Sequence, residues 1–316
     1  MTRAIFMGTP DFAVPSLQAL LDTSRLELVG VVTQPDRQKG RGKRVQPPPV
    51  KELALRHSVD VVQPERIRGR TFRHWLADKA PELIVVTAYG KILPASVLEA
   101  PRYGCLNVHA SLLPAYRGAA PIQWALINGE HETGVSIMKM DEGMDTGGVI
   151  AVRAIPISDD DTAATLHDKL AQLGADCLRE TLPAWLAGSL EVVEQDHERA
   201  TMAPMLSRDD GQLDWSRSAK ALNDQIRGVT PWPGARTSLA GHYVKLFPGR
   251  VIAPPPREGR PGEIVACDDT LIVATGDGAL EVLEIQLEGR RRMRVDEFMR
   301  GFPLEVGQLF GHDEAE

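Results

Sequence analysis

Short and almost wholly apolar runs alternate with helical patterns over the first two-thirds of the chain. This alternation constrains the fold most, because strands that are apolar on both faces are typical of a parallel sheet covered by helices on both sides. The predicted strands are Ala4–Met7, Leu26–Thr33, Val59–Gln63, Leu83–Ala88, Cys105–His109, Val135–Met140 and Val149–Ile157. The predicted helices include Ser16–Asp22, Val50–Arg56 and Thr165–Leu186. Repeated strand–helix units predict an α/β fold with a Rossmann-like, doubly wound and mostly parallel sheet.

The pattern changes near Gly188. Residues 189–206 are polar and irregular, which is typical of a linker, and a helix-like stretch follows at Ser216–Arg227. Short β-like runs separated by glycine and proline then occur at Tyr243–Phe247, Gly262–Ala266, Leu271–Ala274 and Leu280–Leu287. Regular short strands of this kind indicate a small sandwich or barrel. We therefore predict an α/β domain at 1–188, a linker at 189–206 and a smaller β-barrel (OB-like) domain at 207–316.

Composition narrows the class of protein. With 43% hydrophobic and 25% charged residues over 316 positions, the chain resembles globular proteins, which excludes a disordered or fibrous chain. Its three cysteines, Cys105, Cys177 and Cys267, lie far apart without a C-x-x-C pair, so we expect neither a disulfide framework nor a zinc site. The apolar run at the N-terminus is too short for a signal peptide or a membrane span, so we expect a cytoplasmic protein.

The charge of the chain is negative overall but unevenly distributed. A formal net charge of −7 argues against non-specific binding to nucleic acid, which needs a basic face. Both parts of the chain are acidic, with 22 basic and 25 acidic residues up to Leu206 and 14 and 18 after it. However, Gln34–Lys51 carries six basic residues against Asp36 alone, and Arg290–Arg294 carries four arginines. Basic runs are usually exposed loops, and a position beside a binding crevice would favour a nucleic-acid contact.

Polar side chains follow two of the predicted strands. Asn107 and His109 are two residues apart at the end of a strand, so they project to the same side at the carboxyl edge where open α/β sheets bind ligands. Asp145 lies in the glycine-rich loop after Val135–Met140, where glycines let the backbone approach a ligand. A hydrogen-bonded structural histidine and a turn aspartate are the alternative interpretations.

An asparagine, a histidine and an aspartate that meet in one crevice suit acyl-type transfer without a covalent enzyme intermediate. Asparagine and histidine donate hydrogen bonds to a developing oxyanion. An aspartate beside the histidine orients it and helps to move a proton. The sequence contains no G-x-S-x-G elbow, Walker loop or G-x-G-x-x-G motif, so it does not indicate the corresponding hydrolase and nucleotide-binding classes.

One set of motifs resembles the signature of the folate-dependent formyltransferases: Asn107-x-His109, Ser111-Leu112-Leu113-Pro114 and Asp145. Further segments are similar to the corresponding segments of those family members that act on methionyl-tRNA: Phe6–Ala13, Thr33–Asp36, Gly40–Lys43, Arg117–Gln123, Met140–Gly147, Leu213–Ser216, Pro231–Gly234 and Ala274–Gly278. The resemblance runs from near residue 4 to near residue 310. Ala110, where many relatives have glycine, is one small departure that alters no reactive group.

The resemblance implies a reaction and its site residues. The formyl group of 10-formyltetrahydrofolate would pass to the α-amino group of methionyl initiator tRNA in a monomeric enzyme without a metal. The catalytic residues would be Asn107, His109 and Asp145 of the 1–188 domain. The folate contacts would come from Lys91, Ile92, Leu93, Met140, Ser111, Leu112, Leu113 and Pro114. The tRNA contacts would come from Arg41, Lys43 and Arg44, and from Arg290, Arg291 and Arg292 of the 207–316 domain.

Three other functions stay open at this point. A related formyltransferase could act on a small amine such as a sugar nucleotide, and a formyltetrahydrofolate hydrolase would use water with the same three side chains. A non-catalytic tRNA-binding module is the third. The Arg41 loop and the C-terminal barrel with its arginine cluster argue against the first, and the second would need no tRNA-binding surface. Asn107, His109 and Asp145 argue against the third. Ile92, Leu93 and Leu113 also suit a role as core residues.

Overall fold

The computed structural model describes residues 1–39 and 44–311. Up to Pro204 the strands are β1 (Thr2–Gly8), β2 (Leu26–Val32), β3 (Arg37–Lys39), β4 (Arg44–Gln46), β5 (Val61–Val62), β6 (Leu83–Thr87), β7 (Cys105–His109), β8 (Arg117–Gly118), β9 (Glu132–Lys139), β10 (Val149–Pro156) and β11 (Met202–Ala203). The helices there are α1 (Val14–Leu21), α2 (Pro49–Arg56), α3 (Arg70–Lys79), α4 (Ala95–Leu98), α5 (Pro121–Ile127) and α6 (Ala163–Leu186).

The remaining elements belong to the C-terminal part of the chain. They are α7 (Ala219–Val229), β12 (Ala235–Leu239), β13 (His242–Leu246), β14 (Arg250–Ile252), β15 (Ile264–Ala266), β16 (Leu271–Ala274), β17 (Ala279–Val282), β18 (Glu284–Leu287), β19 (Met293–Arg294) and α8 (Val295–Gly301). Within the described ranges, no helix has the length and apolar character needed to cross a membrane.

A seven-stranded sheet with the order β10-β9-β7-β6-β1-β2-β5 forms the centre of the first part. Strands β5, β2, β1, β6 and β7 run parallel, whereas β9 is antiparallel to β7. This confirms the predicted Rossmann-like, mostly parallel sheet. The strand order reverses between β1 and β6, and the carboxyl ends of strands at such a point flank a ligand crevice. Strand β7 is the neighbour of β6 on that side.

Burial explains why the parallel strands are apolar. Every residue of β6 and of β7 is buried, because each strand has a neighbour on both edges and packed layers on both faces. Polar side chains are tolerated there only when they find hydrogen-bond partners. Asn107 and His109 at the end of β7 are therefore exceptions, and their polar atoms need hydrogen-bond partners nearby.

Helix α3 is an element that the sequence pattern does not predict. Phe72 and Leu76 are its fully buried apolar residues, Trp75 packs partly buried beside them, and the other residues of the helix are mostly polar or charged. Phe72 and Leu76 each have 4% of the surface exposed, and they anchor the helix to the core of the first part. The helix stops at Ala80, which has left-handed backbone at φ 42°. Arg70 and Arg73 stay on the exposed side.

The C-terminal part contains two antiparallel four-stranded sheets, β12-β13-β18-β19 and β14-β17-β16-β15. The predicted strand Leu280–Leu287 is two strands, because β17 passes into β18 at Leu283 and the two belong to different sheets. At the opposite side, residues 309–310 form bridges with Leu239 of β12 and with Glu263 beside β15. These two links join the sheets into the small β-barrel that the sequence predicts.

The described chain divides into two units whose borders differ from the predicted domains. The first unit comprises Met1–Pro121, Glu132–Ile155 and His167–Pro204, and the second comprises Ile122–His131, Pro156–Leu166 and the chain from Met205 on. The segment 189–206, predicted as a linker, contains β11, which pairs with β8 of the first unit. The catalytic and tRNA-binding roles given to the two domains stay predictions.

Helix α7 explains why two internal segments join the second unit. Gly228 of α7 lies so close to α5 that an added Cβ would meet Ile127 Cγ1 at 2.6 Å. Arg227 donates from Nη1 to the carbonyl oxygens of Ser158 and Asp161, both at 3.0 Å. The sequence pattern does not distinguish the two segments from the rest of the α/β region. The contacts that join them to α7 come from residues about 70 to 100 positions away along the chain, which a local pattern cannot reveal.

Candidate active site

Asn107 and His109 lie on the same face of β7, as their spacing predicts. Only 9% and 6% of their surfaces are exposed. Strand β7 is hydrogen-bonded to β6 on one edge and to β9 on the other. The sheet therefore fixes the backbone that presents both side chains, which suits a site that needs groups held in place before substrate binds.

Asp145 reaches these side chains by a route that the sequence does not predict. Because β9 is antiparallel to β7, the loop after β9 leaves the sheet beside the amino end of β7 rather than its carboxyl end. The loop 140–148 nevertheless brings the Asp145 carboxylate to the face of β7. Its Oδ2 accepts the backbone N–H of Gly118 at 2.9 Å, and its Oδ1 accepts from Asn107 Nδ2 at 3.5 Å. The structure thus brings the three predicted catalytic side chains together, and their catalytic roles stay a prediction.

Both ring nitrogens of His109 face an oxygen. Nε2 lies 3.0 Å from the carbonyl oxygen of Tyr116, and Nδ1 lies 3.6 Å from Oδ2 of Asp145. A carbonyl oxygen can only accept, so Nε2 carries a proton. The carboxylate faces the other nitrogen, and a doubly protonated ring would donate to both oxygens. Tyr116 supplies its carbonyl from left-handed backbone at φ 60°.

Gln195 holds the backbone of the Asp145 loop. Its amide donates to the carbonyl oxygens of Asp145 at 2.9 Å and of Gly147 at 2.6 Å, and its Oε1 accepts from Arg117 Nη2 at 2.7 Å. Arg117 also contacts His197 Nδ1 at 3.0 Å, so that nitrogen is an acceptor. Gln195 and Arg117 are 7% and 6% exposed. This buried network fixes Asp145 from the backbone side.

Sequence reasoning missed Gln195 and passed over the role of Gly118. Gln195 is an isolated polar residue in a segment that looks like a linker, so no pattern marks it. Arg117 and Gly118 belong to the segment Arg117–Gln123, which is part of the family resemblance. That segment is the signal by which both residues could have been found. An alanine at Gly118 would place Cβ 2.7 Å from the carbonyl oxygen of Ala203, and the glycine has φ 122°.

The variant Gln195→Ala is expected to lower kcat by up to about 100-fold, because small displacements of a reacting group have costs of this order. The Michaelis constants for both substrates should change much less, since the variant moves Asp145 and leaves the substrate-binding residues in place. Steady-state kinetics with thermal unfolding on the same samples measures this. Gln172→Ala is the matched control, because Gln172 makes an exposed hydrogen bond to Asp176. Wild-type kcat in Gln195→Ala would contradict the assignment.

The turn Ser111–Pro114 is fixed by three hydrogen bonds, two of which join it to Ser136 of β9. Ser111 Oγ donates to the carbonyl oxygen of Ala115 at 2.6 Å, and Ser136 Oγ donates to the carbonyl of Ser111 at 2.8 Å. The N–H of Leu113 donates to Ser136 Oγ at 3.1 Å. Leu112, Leu113 and Pro114 are half-buried. The structure therefore places this predicted folate contact directly after β7, with the Ser111 hydroxyl already engaged.

The segment 91–94, the other predicted folate contact, has residues of three kinds. Lys91 Nζ donates to the carbonyl oxygens of Pro64 and Glu65 at 3.0 and 2.9 Å. Leu93 is a core residue with 2% exposure, whereas Ile92 is 62% exposed. Of the four predicted contacts outside the turn, Ile92 is therefore the one whose side chain is largely open to solvent, while Lys91 and Leu93 hold the segment in place.

Two open depressions lie beside this segment. One of about 500 Å³ is lined by Ile92, Leu93 and the residues up to Ser96, and one of about 470 Å³ includes Met140. Both volumes fall in the range of roughly 300–1,000 Å³ that is usual for small-molecule sites. Asn107, His109 and Asp145 line neither depression.

Cys105 is the remaining side chain of interest on β7. It lies on the same face as Asn107, but its thiol is buried and burial raises the pKa to about 12. A thiol with that pKa is a poor nucleophile, so Cys105 belongs to the core. In the described ranges, no three His, Cys, Asp or Glu residues come together as metal ligands would.

The basic segment 34–51 forms a hairpin of β3 and β4, whose register pairs Arg37 with Gln46. Arg41 and Lys43 lie outside the described residues, and Arg44 begins β4. At the base of the hairpin, Lys51 Nζ lies 2.8 Å from Asp36 Oδ2 and 2.7 Å from Gln63 Oε1. The hydrogen bond from Lys51 lowers the pKa of Asp36. Lys51 is thus engaged at the base of the hairpin.

The second basic cluster surrounds the start of α8. Arg291 pairs with Glu297, and Arg292 pairs with Glu284 and stacks over the ring of Phe247 at 3.9 Å. These side chains are well exposed, so each ion pair is weak and can be exchanged for another anion. The cluster lies on the barrel, where the sequence places it, and no contact with tRNA follows from this alone.

Comparison with known proteins identifies the family. A model described as formyl transferase matches residues 2–182, and one described as formyl transferase, C-terminal domain, matches residues 205–303. The chain belongs to the formyl transferase family. Within that family it is similar to proteins named methionyl-tRNA formyltransferase. The relative from Geobacter sulfurreducens is 49% identical over 310 residues, which are 98% of this chain and 96% of the relative.

Solved structures support the fold. HypX from Aquifex aeolicus in complex with tetrahydrofolic acid is 18% identical with a TM-score of 0.60, and the match covers 99% of this chain and 51% of HypX. This chain therefore spans about half the length of HypX. WlaRD, a sugar 3N-formyl transferase, is 17% identical with a TM-score of 0.62 over 92% of this chain and 99% of WlaRD. Because a sugar 3N-formyl transferase and HypX both share this fold, the fold does not identify the acceptor.

Proposed function

We propose that the chain transfers the formyl group of 10-formyltetrahydrofolate to the α-amino group of methionyl initiator tRNA. The observation that carries the proposal is the meeting of Asn107, His109 and Asp145 in a chain 49% identical to a methionyl-tRNA formyltransferase. The product, formylmethionyl-tRNA, would serve translation initiation, and we assign the enzyme to the cytoplasm for that reason. We also propose that the enzyme is a monomer.

The reaction balances without a metal or a covalent enzyme intermediate. The amine nitrogen attacks the formyl carbon, the bond from that carbon to N10 of the folate breaks, and one amine proton ends on N10. A free α-amino group has a pKa of about 7.7–8.0, and the ester of the tRNA lowers this pKa, so the amine needs little activation. The main demand is to stabilise the negative oxygen of the tetrahedral intermediate.

Asn107 Nδ2 and His109 Nε2 are the donors that we assign to this oxygen. Nε2 would exchange the carbonyl of Tyr116 for the oxyanion, while Nδ1 stays turned towards Asp145. The carboxylate of Asp145 then orients the ring and takes part, through water, in moving the amine proton towards N10. The hydrogen bond from the Gly118 N–H to Asp145 supports this assignment, because it fixes the acid on the site side of its loop.

The substrates would approach from different sides of the site. The folate would lie between the segment 91–94 and Met140, with its path lined by Ser111–Pro114. The acceptor end of the tRNA would contact Arg41, Lys43 and Arg44, and its body would contact Arg290–Arg292. The exposed ion pairs of the second cluster support this, since phosphate can replace a weakly bound carboxylate.

The test is a formylation assay with purified full-length protein. We expect formylmethionine to form from 10-formyltetrahydrofolate and charged initiator tRNA, and no formyl transfer when the tRNA is uncharged. Folate turnover without any amine acceptor would indicate the hydrolase instead. Transfer to an amino sugar nucleotide but not to methionyl-tRNA would indicate the related small-amine enzyme. Binding of tRNA without turnover would indicate a non-catalytic module.

A further inference from the structure

Arg117 is a buried cation whose hydrogen-bond partners are neutral. Its Nε and Nη2 donate to Oε1 of Gln195 at 3.1 and 2.7 Å, and Nη2 also donates to Nδ1 of His197 at 3.0 Å. Among the residues that the structure describes, no carboxylate pairs with this guanidinium group. A buried charge is costly unless hydrogen bonds compensate it, so the position of Arg117 depends on these two acceptors.

His197 is the end of this network that solvent can reach. Its side chain is exposed, whereas Arg117 and Gln195 are buried. A guanidinium group can only donate, so Nδ1 of His197 must be free of a proton and the ring must be neutral. A proton on Nδ1 would remove the acceptor and place a second cation beside Arg117. Histidine changes its charge between about pH 5 and pH 8, so mild acid is enough for this.

The charged groups around His197 leave Arg117 as the partner that decides its role. Its chain neighbours Asp196, Glu198 and Arg199 are exposed, and Asp196 Oδ1 is engaged by the backbone N–H of Glu198 at 3.1 Å. Within the described residues, no carboxylate forms an ion pair with His197. A protonated ring would therefore gain no anion in exchange for the lost hydrogen bond.

The other end of the network is the backbone of the Asp145 loop. Gln195 Nε2 donates to the carbonyl oxygens of Asp145 and Gly147 at 2.9 and 2.6 Å. Arg117 decides which end of the amide faces this loop, because only the amide oxygen can accept its two donors. A guanidinium group that is pushed away from His197 would leave the Gln195 amide free to turn.

We infer that His197 is a positioning residue for formyl transfer, which as a neutral acceptor holds Arg117 and Gln195 and, through them, Asp145. Its protonation loosens the Asp145 loop. The inference rests on the proposed function, because it takes Asp145 as the group that orients His109. The N–H of Gly118 still holds the Asp145 carboxylate at 2.9 Å, so protonation of His197 should slow the reaction without stopping it.

The test compares the wild type with His197→Asn, whose Oδ1 lies as many bonds from the backbone as Nδ1 and accepts at every pH. The kcat of the two proteins should agree at about pH 8. At about pH 6 the wild type should be about two- to fourfold slower than the variant, because its protonated fraction lacks one hydrogen bond. Titration of the substrate amine and of His109 affects both proteins alike, so it cancels in the ratio of the two rates.

Two more variants make the comparison specific. His197→Ala has no acceptor, so its kcat should be roughly two- to tenfold low at every pH, with unchanged KM for both substrates. His74→Asn removes an exposed histidine of α3 and should keep the wild-type profile. A pH-independent ratio between the wild type and His197→Asn would overturn the inference, as would a wild-type kcat in His197→Ala.

A measurement without turnover separates this inference from the proposed function. The side-chain amide signals of Gln195 in nuclear magnetic resonance spectra, identified by their loss in Gln195→Ala, should shift between about pH 8 and pH 6 in the wild type and stay in place in His197→Asn. If they do so and no methionyl-tRNA is formylated, the proposed function is wrong and the network stands. If formylation occurs but the signals behave alike in both proteins, the network is wrong and the function stands.

Discussion

His109→Ala is expected to lower kcat for formyl transfer by about 100- to 1,000-fold, the usual cost of removing one donor to an oxyanion. Asn107→Ala should lose a similar factor, and Asp145→Ala should be comparably severe because the histidine loses its orienting carboxylate. The measurement is initial formylation rate with both substrates saturating. Loss of a donor that acts only in the transition state lowers kcat and kcat/KM together.

Two further variants make this test specific. Asn107→Asp keeps the size of the side chain but replaces the donor by an acceptor, so it should be as slow as Asn107→Ala. His57→Ala removes an exposed histidine that caps the end of α2 and should be close to wild type. Near-normal turnover in any variant of Asn107, His109 or Asp145 would remove that residue from the mechanism.

Arg227→Ala is expected to cost the second unit about 3 kcal/mol of unfolding free energy, the lower end of the range for breaking a buried ion pair. Arg227 and Asp224 are 6% and 7% exposed, and their side chains meet at 2.6 Å. Removing the guanidinium leaves the carboxylate buried with Lys220 alone, at 2.7 Å, and releases the carbonyls of Ser158 and Asp161. Lys220 keeps the expected loss from being larger. Denaturant unfolding measures it.

The matched control is an arginine of an exposed pair on the same unit. Arg300 lies 3.8 Å from Asp296, and the two side chains are 74% and 50% exposed. Arg300→Ala should change the unfolding free energy by less than about 1 kcal/mol. If Arg227→Ala were as mild as this control, the buried pair would not hold segment 156–166 in the second unit.

The sheet could be predicted because burial on both faces leaves a direct mark on the sequence. The predicted strand Cys105–His109 coincides with β7, and the others differ from the observed strands by a few residues at their ends. Strand direction leaves no such mark. The apolar run of β9 has the same appearance whether it pairs parallel or antiparallel, so the route by which Asp145 reaches β7 could not be derived.

The site could be predicted in its three reactive side chains and not in what holds them. Asn107 and His109 share a face because strand geometry alternates, which spacing reveals. Gln195 acts through hydrogen bonds to backbone carbonyls some 50 positions earlier. Every residue has a backbone carbonyl, so the partners of Gln195 leave no pattern in the sequence. Helix α3 was not predicted because its apolar residues are few: Phe72 and Leu76 are buried, and Trp75 is partly buried beside them.

The interleaving of the two units limits how this chain could exchange parts in evolution. Segments 122–131 and 156–166 precede the C-terminal barrel in sequence, yet they pack with α7. A recombination event after residue 204 would give a new barrel the two partner segments of the old one. The exchange would then succeed only if the new residues at positions 227 and 228 fit the residues that segments 122–131 and 156–166 already contain. Both halves of such a gene are therefore expected to change together rather than as independent modules.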